Sequence, residues 1–512
     1  MSSPRECSVL IVGGGPVGLT LANLLGSEGI TTALVERNPG CVPEPRAVAL
    51  DGESLRTLQA VGLADTALDN IRQGFIADYI NGDGVTLFTS DLTARPYGFC
   101  LQNTFDQPTL ERQLLEGLTR FPCVTVHHST ALASFEQDSD GVDALLRDSN
   151  DNEQSLRASF MVGCDGGRSS VRQGLGIEMV GDRLPQQWLV IDTVDSHLGD
   201  EPACRFYCDP RRPAMTIIRP GDERRWEWML VGEERSEELL DDGRIRALLA
   251  EHTDPDQVEI YRKCVYSFSA VVAQQFSDGR VFLAGDAAHM TPPFAGQGLN
   301  AGIRDVRNLS WKLARVVLGT LPDSLLASYD LERREAARNM VELAVALGDQ
   351  IQPVDPALAA ERDAMFAQLN ADPTAAKAFA ADAIAPLSDV RLPQGWFAAD
   401  GTGGRMLPQP RVREGANEVL LDQLLGTGFS ALMPAGATLP SQLASHPLWQ
   451  ALAPLVYSLE PGEAAASLAG FVGGNDTGIT VLRPDRFVLA TLPLDASASG
   501  VLDELQAALG AL

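Results

Sequence analysis

Glycines near the start of the chain have the spacing of a phosphate-binding turn. Gly13, Gly15 and Gly18 follow an apolar run that ends at Val12, and they precede leucines at helical spacing. Gly13 permits a tight turn, Gly15 lets the backbone approach a pyrophosphate, and Gly18 lets the helix pack closely on the strand. The first turn of such a helix directs free N–H groups toward the phosphates. We therefore expect this segment to bind the ADP part of a dinucleotide.

An acidic residue follows at the distance that such a turn requires. The second apolar run, Thr32–Val35, ends on Glu36, whose carboxylate can accept hydrogen bonds from ribose hydroxyls. Strand, glycine turn, helix, strand and acid all fall within about 30 residues, as in dinucleotide-binding units. These residues alone do not distinguish FAD from NAD.

Two later segments each place a carboxylate after an apolar run. Phe160–Cys164 leads into Asp165, and the run that begins at Val281 ends on Gly285 and Asp286. Both patterns predict a buried strand that ends in a turn carrying an acid.

Gly296 and Gly298 open a long predicted helix, and they imply that backbone approaches a ligand there. The start of a helix favours negative charge. A reduced flavin carries negative charge near N1 and O2 of its ring, so this turn is well placed to stabilise it.

Together these three segments resemble the fingerprint of the class A flavoprotein aromatic hydroxylases. In that family the Gly-Asp carboxylate holds the ribityl chain of FAD, and the Asp-Gly segment serves both FAD and the reduced nicotinamide. The resemblance implies that Asp286 contacts the ribityl hydroxyls. It also implies that backbone N–H groups of Gly298, Leu299 and Asn300 face the isoalloxazine. Asp165 would anchor the second fingerprint and take part in catalysis.

Arg46 and Gln107 match positions that hold FAD in the same family. The alternative for this pair is a solvated loop residue and a helix cap. The full set of predicted cofactor-binding residues is Gly13, Gly15, Pro16, Gly18, Glu36, Arg37, Arg46, Gln107, Asp165, Asp286, Gly296, Gly298, Leu299 and Asn300.

The chemistry that the resemblance implies is carried by the flavin. NADH or NADPH would reduce FAD, O2 would add to give a flavin C4a-hydroperoxide, and its distal oxygen would pass to an electron-rich aromatic ring. Water must be excluded, because otherwise H2O2 is released instead of product. The ring should also be activated as a phenolate, which requires a group that accepts its proton. No metal ion is expected.

Four residues are the candidates for the substrate pocket. We expect Trp188, Tyr207 and Trp228 to line it, because they lie in strand-like segments that would cover the ring. The backbone carbonyl of Pro293 matches a position that accepts a substrate hydroxyl in relatives, and a turn-stiffening proline is the alternative. His289 is a tempting base, but it lies inside the Gly-Asp fingerprint and is interpreted as structural.

The resemblance also extends to a particular group of these hydroxylases. The segments 205–213, 224–229, 328–334 and 481–488 look like their counterparts in 3-(3-hydroxyphenyl)propionate hydroxylases. This implies hydroxylation of a small carboxylated phenol beside its existing hydroxyl. Related enzymes with the same tail hydroxylate larger polyketide-type aromatics, so that substrate class is the alternative.

A carboxylate buried in a closed pocket needs a cation or several N–H donors. Arginine suits this task because its planar fork can bind a carboxylate through two bonds. The candidates from the sheet segments are Arg205, Arg211, Arg212, Arg224 and Arg225.

The family pattern implies a mixed α/β fold with interleaved domains. A Rossmann-like FAD-binding domain would take residues 1–75, 99–180 and 275–345, and a substrate-binding β-sheet would take 76–98 and 181–274. A helical segment would span 346–398. Residues 399–512 resemble the thioredoxin-like tail of these enzymes, but no cysteine lies beyond Cys264, so this tail cannot do thiol redox chemistry. Its expected role is packing or contact with a second copy in a homodimer.

Composition narrows the function classes further. With 40 basic and 68 acidic residues, a net charge of −28, the chain lacks the cationic density that nucleic-acid binding requires. The eight cysteines form no regular disulfide or zinc pattern, as expected for reduced thiols in the cytoplasm. The uncharged stretch 7–27 is too rich in glycine to favour a membrane span.

Two other kinds of protein share parts of this pattern. Flavin-dependent halogenases carry a signature that Trp226 and Trp228 partly match, but Met229 follows without the Ile-Pro of that signature. A relative that has lost FAD should also have lost the Gly285-Asp286 pair, which is intact here.

Overall fold

A parallel sheet organises the residues that carry the three glycine-rich turns. The computed structural model describes residues 5–195, 203–415, 417–459, 465–468, 470–471 and 478–511. Five parallel strands of this sheet lie in the order Val281–Leu283, Glu153–Gly163, Arg5–Val12, Thr32–Val35 and Val124–His127. Antiparallel strands extend it at Ser277–Asp278, Val142–Asp148 and Thr130–Gln137.

The central strands are apolar because both faces of the sheet are covered. Leu10, Ile11 and Leu34 have no solvent exposure. The helices Pro16–Ser27 and Gly298–Val317 pack against each other beside the sheet, and both begin at predicted ligand-facing turns. The sheet therefore directs two helix starts toward the same region.

The remaining helices are distributed along the whole described chain. Among the described residues they are Gly52–Ala60, Ala64–Leu68, Gln107–Gly117, Ser170–Gly174, Ser236–Leu239, Asp242–Leu249, Ala327–Ile351, Pro356–Asn370, Pro373–Ser388, Leu421–Leu425, Ser441–Ser445, Pro447–Leu452, Ala465–Leu468 and Ala498–Ala511. Short 3-10 turns lie at Leu118–Arg120, Gly285–Ala287, Pro293–Ala295 and Asp323–Leu326. Within the part of the chain described, none of the helices is long and apolar enough to cross a membrane.

A second, eight-stranded sheet covers the turns of the first. Its strands lie in the order His289–Met290, Val258–Ala273, Met179–Asp195, Glu223–Met229, Ala214–Arg219, Cys204–Cys208, Ile76–Asn81 and Thr86–Asp91. We call this sheet the roof. A small sheet of Ala49–Asp51, Gln102–Phe105 and Ile71–Gln73 lies between the two.

The mixed α/β fold predicted from the sequence is confirmed, and the domain boundaries stay predictions. The roof strand Met179–Asp195 begins inside the segment assigned to the FAD-binding domain. The helix Ala327–Ile351 runs without a break through the boundary placed at residue 345. A helix ends where its hydrogen bonding is interrupted, and the next proline after this boundary is Pro353.

The C-terminal residues form a sheet of their own. Its strands lie in the order Leu455–Leu459, Ser430–Pro434, Gly478–Leu482 and Val488–Pro493, and the first two are parallel. A two-stranded hairpin, Arg411–Glu414 with Asn417–Leu420, precedes it. The assignment of this region as thioredoxin-like stays a prediction.

Buried charges join the C-terminal residues to the helices beside the flavin-binding turns. Arg483 donates to both carboxylate oxygens of Glu332 at 2.8 Å, and Lys312 donates to the same carboxylate at 2.7 Å. All three side chains are fully buried. Burial alone would raise the pKa of Glu332, but Arg483 and Lys312 lower it to about 2. Glu332 therefore remains ionised at neutral pH and holds two cations together.

We expect Glu332→Gln to lower the free energy of unfolding by about 3–5 kcal/mol, because it leaves two buried cations without their shared anion. This contribution is complete above the ordinary pKa of a glutamate, and it is lost as the pH falls toward 2. Urea unfolding at pH 7 measures the difference. Glu335→Gln on the same helix is the control, because its partly exposed pair with Arg338 should contribute about 0–1 kcal/mol. Equal effects of the two substitutions would contradict the role given to the buried cluster.

Candidate active site

The first glycine turn brings three stretches of backbone into close contact. Gly13 has φ +110°, and a Cβ there would lie 2.4 Å from the carbonyl oxygen of Cys164. A Cβ on Gly18 would lie 2.0 Å from the carbonyl oxygen of Gly13, so this position also requires glycine. A Cβ on Gly15, in contrast, would meet no atom within 4 Å. The turn is therefore tightly packed at Gly13 and Gly18, and it is open at Gly15, where the helix starts.

Glu36 and Arg37 lie beside this turn. Glu36 Oε2 accepts a hydrogen bond from Gly14 N at 2.7 Å, and its Oε1 accepts one from Asn38 N at 2.8 Å. The acid thus lies against the glycines, as the ribose-binding hypothesis requires. Arg37 is exposed. Pro16 is the first residue of the helix that follows the turn.

Asp165 caps a short helix next to the same turn. Its Oδ2 accepts from Ser170 N at 2.7 Å and from Ser170 Oγ at 2.9 Å. Its Oδ1 is buried and has no hydrogen-bond partner among the described residues. The residue does not border the large cavity described below, so its predicted part in catalysis has no geometric support.

Asp286 occupies the end of the Gly-Asp turn. It accepts no hydrogen bond from a described residue, and its side chain is exposed to the cavity although protein surrounds it. Burial raises the pKa of this carboxyl, and the nearby His289 and Arg46 lower it in part. A carboxyl in such a position is suited to bind hydroxyl groups of a ligand.

Gln107 fixes the loop that carries Arg46. Its Oε1 accepts from Ala47 N at 2.7 Å, and its Nε2 donates to Glu111 Oε1 at 2.7 Å. Arg46 itself borders the cavity, and its side chain makes no hydrogen bond to a described residue. Gln107 therefore holds the loop that carries Arg46 in place through the backbone of Ala47.

The second helix start lies on the opposite side of the cavity. Gly296, Gly298 and Leu299 border the cavity directly. Asn300 lies behind them, where it accepts from Asp51 N at 3.0 Å and donates to Gly296 O at 2.8 Å. The Asn300 side chain therefore holds the shape of the turn, while the residues before it face the open space.

These residues fit an FAD molecule. Among the described residues, nothing fills the space at Gly15, and neither the buried Oδ1 of Asp165 nor the cavity-facing carboxyl of Asp286 has a hydrogen-bond partner.

The large cavity lies between these turns and the roof. Its volume is about 350 Å³. The roof side is mainly apolar, and its principal side chains are Phe75, Tyr79, Phe206, Met215, Ile217 and Phe268. Leu343 and Leu347 of the long helix and Ile384 close another side. Such a lining favours an aromatic ligand and excludes water.

The three aromatic residues predicted to line the pocket do not do so. Trp228 stacks on Trp226 at 6.0 Å between ring centroids, and Tyr207 packs against His252 at 4.4 Å, on the outer face of the roof. Trp188 is on the inner face, but Phe294 lies between it and the cavity, with ring centroids 5.7 Å apart. Side chains alternate along a strand, so the neighbours of Trp228 and Tyr207 face inward instead.

Pro293 borders the cavity, and its carbonyl already has one hydrogen-bond donor. Gly296 N donates to Pro293 O at 2.8 Å and closes the 3-10 turn. A carbonyl oxygen has two lone pairs, so one remains for a substrate hydroxyl. The turn-stiffening role and the predicted substrate contact are therefore compatible.

Only one of the five candidate arginines borders the cavity. Arg225 donates to both carboxylate oxygens of Asp192, at 2.7 and 3.0 Å, and to the carbonyls of Pro45 and Arg46, each at 2.7 Å. Arg211 pairs with Asp209, Arg212 pairs with Glu234, Arg224 lies over the Trp226 ring, and Arg205 is on the outer face with Tyr207. Sequence reasoning identified arginine-rich strands, but not the faces on which they lie.

Glu227 and Tyr266 are cavity residues that the sequence analysis missed. Glu227 lies between Trp226 and Trp228 in the sequence. Strict alternation along the strand therefore predicts that its side chain is on the other face of the sheet from theirs. Tyr266 OH accepts from Arg262 Nη2 at 2.5 Å, and Arg262 in turn donates to Asp192 at 2.7 Å. The alternation signal was present for Glu227, whereas the contacts of Tyr266 depend on the tertiary structure.

His289 is structural, as interpreted from its position. Its Nε2 lies 2.7 Å from Asp305 Oδ2, and the side chain is buried away from the cavity.

Comparisons with known proteins agree with this geometry. Residues 6–344 match the family described as "FAD binding domain", and residues 404–508 match the family described as "HcaD C-terminal domain". The chain is 36% identical to a 3-(3-hydroxy-phenyl)propionate/3-hydroxycinnamic acid hydroxylase of Mycobacterium sp. (strain JLS), over 94% of this chain and 89% of that protein. A protein of the same name from Klebsiella pneumoniae (strain 342) is 35% identical over 95% of this chain and 92% of its own length.

Solved structures show the same fold over nearly the whole length. The flavin-dependent monooxygenase PieE, solved with FAD and substrate, has a TM-score of 0.82 at 22% identity and covers 99% of each chain. Aklavinone-11 hydroxylase, solved with FAD and aklavinone, has a TM-score of 0.81 at 25% identity and also covers 99% of each chain.

We expect Asp286→Ala to weaken FAD binding about 10- to 150-fold, since a charged acceptor is worth about 1.5–3 kcal/mol to the hydroxyls it binds. Asp286→Asn is the matched control, because it keeps one carbonyl oxygen and should retain more cofactor. The ratio of bound flavin absorbance to protein in the purified variants, followed by titration of the stripped protein with FAD, measures the effect. An Ala variant that folds and binds FAD as tightly as the wild type would remove Asp286 from the site.

Proposed function

Because this chain belongs to the FAD binding domain family, alongside relatives named as aromatic hydroxylases, it is an FAD-dependent monooxygenase, and we propose that it hydroxylates a small carboxylated phenol. The substrate would resemble 3-(3-hydroxyphenyl)propionate, and the new hydroxyl would enter beside the existing one to give a catechol. NADH or NADPH would supply the electrons, and O2 the oxygen atom.

The observation that carries this proposal is the identity of about 36% to hydroxylases of that name over almost the entire chain. Because the alignment covers 94% of the chain, the roof strands, which lie between residues 76 and 290, fall within it. Bound FAD supplies the chemistry of electron transfer and oxygen activation.

The residues of this chain would bind the cofactor, orient the ring and keep water out. Asp286 and the turn at Gly298 would hold the flavin, and the remaining lone pair of Pro293 O would accept the ring hydroxyl. Phe206 and its apolar neighbours would enclose the ring, which protects the oxygen-transfer step from water.

The carboxylate of such a substrate needs a cation at the cavity. Two cations border the cavity, Arg46 and Arg225, and the family resemblance assigns Arg46 to FAD. Arg225 has one N–H group beyond the four hydrogen bonds that already engage it. We expect the carboxylate to lie toward the Arg46 loop.

A larger polycyclic phenol is the second candidate. The apolar roof and the engagement of Arg225 by Asp192 both favour a substrate without a negative charge. A hydroxylase of similar fold was solved with aklavinone, and it is 25% identical to this chain.

The substrate class can be tested with an acid and its amide. We expect 3-(3-hydroxyphenyl)propionate to accelerate NADH oxidation and to yield a dihydroxylated product, and its amide to do so much less because it cannot pair with a cation. Rates of NADH consumption and mass spectrometry of the product measure both. If the two compounds behave alike, or neither is hydroxylated, the carboxylated-phenol proposal fails, and hydroxylation of aklavinone would then support the second candidate.

Side chains alternate along the roof strand Cys204–Cys208, so a substitution of Phe206 should affect the cavity and a substitution of its neighbour Tyr207 should not. Phe206→Leu should admit water to the cavity, so that H2O2 rises and hydroxylated product falls for each NADH consumed. Tyr207→Leu is the control, because Tyr207 packs on the outer face. The ratio of product to NADH, with H2O2 measured separately, tests the pair. Equal coupling in both variants would show that Phe206 does not enclose the ring.

A further inference from the structure

One buried carboxyl at the cavity has no partner. Glu227 is 7% exposed, and it borders the cavity from the roof strand Glu223–Met229. Its cross-strand neighbours are Val190 and Met215, neither of which can donate a hydrogen bond to it. Among the described residues, no donor is within hydrogen-bond distance of this carboxyl, and none forms an ion pair with it.

The cations nearest to Glu227 form ion pairs with a different carboxylate, that of Asp192. Arg225 is on the same strand and Arg262 on the Val258–Ala273 strand, and both pair with the fully buried carboxylate of Asp192. Tyr266 accepts from Arg262, and the thiol of Cys204 faces the cavity from the next strand but one. Arg46 and Asp286 are the charged residues on the opposite wall. The protein therefore supplies charges around Glu227 without satisfying its oxygens.

A structural role does not explain this arrangement. A buried polar group without a hydrogen bond destabilises the fold, and a buried carboxylate does so more strongly. Its cross-strand neighbours Val190 and Met215 are apolar, so a leucine or methionine at this position would pack against them without that cost. A carboxyl directed into a ligand cavity instead gains its hydrogen bond when a ligand with an O–H group enters.

We propose that Glu227 is a catalytic residue that accepts the proton of the substrate's ring hydroxyl. This inference rests on the proposed hydroxylation of a phenol. The ring hydroxyl turns from Pro293 O to Glu227, the phenolic O–H bond breaks, the proton moves to a carboxylate oxygen of Glu227, and the electron pair stays on the ring oxygen. That pair raises the electron density of the neighbouring ring carbon, which then bonds to the oxygen atom that the monooxygenase reaction supplies.

The acid-base properties of this carboxyl suit the task. Burial raises its pKa to about 7, with Asp192 adding to the shift, while Arg225 and Arg262 oppose it. A carboxylate of higher pKa is a stronger base, and a base with a pKa near the working pH is the most effective proton acceptor. Because the ionised form is the active one, hydroxylation should rise as the pH increases through about 7.

Glu227→Gln tests the inference, since it preserves the shape and removes the base. We expect ring hydroxylation to fall about 100- to 10,000-fold, the usual contribution of a general base, and the rise near pH 7 to disappear. NADH oxidation should continue and produce H2O2. Glu227→Asp should restore part of the hydroxylation. Glu223→Gln on the same strand, outside the cavity, is the matched control and should keep the wild-type pH profile.

A binding measurement separates this role from a general loss of activity. A nitro-substituted analogue of the phenol absorbs visible light only as the phenolate, so its spectrum reports where the proton is. We expect the wild-type holoenzyme to bind it with the phenolate band, and Glu227→Gln to bind it with that band diminished. An unchanged flavin spectrum in the variant shows that the fold is intact.

The failures of the two proposals are distinguishable. If the wild type hydroxylates no phenol, the proposed function is wrong. If the wild type hydroxylates a phenol and Glu227→Gln keeps both the rate and the pH profile, or binds the nitrophenol with an unchanged phenolate band, Glu227 is not the proton acceptor.

Discussion

The carboxylate of Asp305 fixes the elements on which the flavin-binding turns depend. It accepts from Gly285 N at 3.0 Å, lies 2.7 Å from His289 Nε2 and accepts from Arg333 Nε at 2.9 Å. These three partners belong to the Gly-Asp turn, the edge strand of the roof and the long helix. Burial alone would raise the pKa of Asp305, but His289 and Arg333 lower it, so the group stays charged. A single buried anion thus sets the distance between the turn that carries Asp286 and the helix that begins at Gly298.

The C-terminal residues extend this arrangement rather than add chemistry. Arg483 reaches Glu332 on the long helix, and Asp422 pairs with Arg56 at 2.7 Å on the flavin side. The helix Gly298–Val317 is held at Lys312 by Glu332 and at Asp305 by Gly285 and Arg333. Its first turn is where a reduced flavin would meet the positive end of the helix dipole, so charges far from the cavity decide how well that turn is positioned.

The roof is joined to the cofactor loop through one side chain that serves two purposes. Arg225 pairs with Asp192 inside the roof and donates to the carbonyls of Pro45 and Arg46. It therefore holds the Arg46 loop against the roof, and little of its hydrogen-bonding capacity remains for a ligand. Asp192 also engages Arg262. Because these cations neutralise a buried aspartate, Glu227 is left as the carboxyl of the roof that a ligand in the cavity can reach.

The sequence by itself determined the parts of the site whose chemistry is local. The first glycine turn and Glu36 lie within one short segment, so their spacing alone predicts a dinucleotide site, and the family resemblance predicts the roles of Asp286 and the helix start at Gly298. The mixed α/β fold and the family followed from the order of these segments. The tertiary structure alone decided which side of each roof strand faces the ring, and therefore that Phe206 and Glu227, not Tyr207 and Trp228, border the cavity. It also decided the partner of each arginine, because Arg225 and Pro45 are 180 residues apart and no local pattern relates them. Alternation along a strand specifies two faces, but only packing against the rest of the molecule determines which of them is inside.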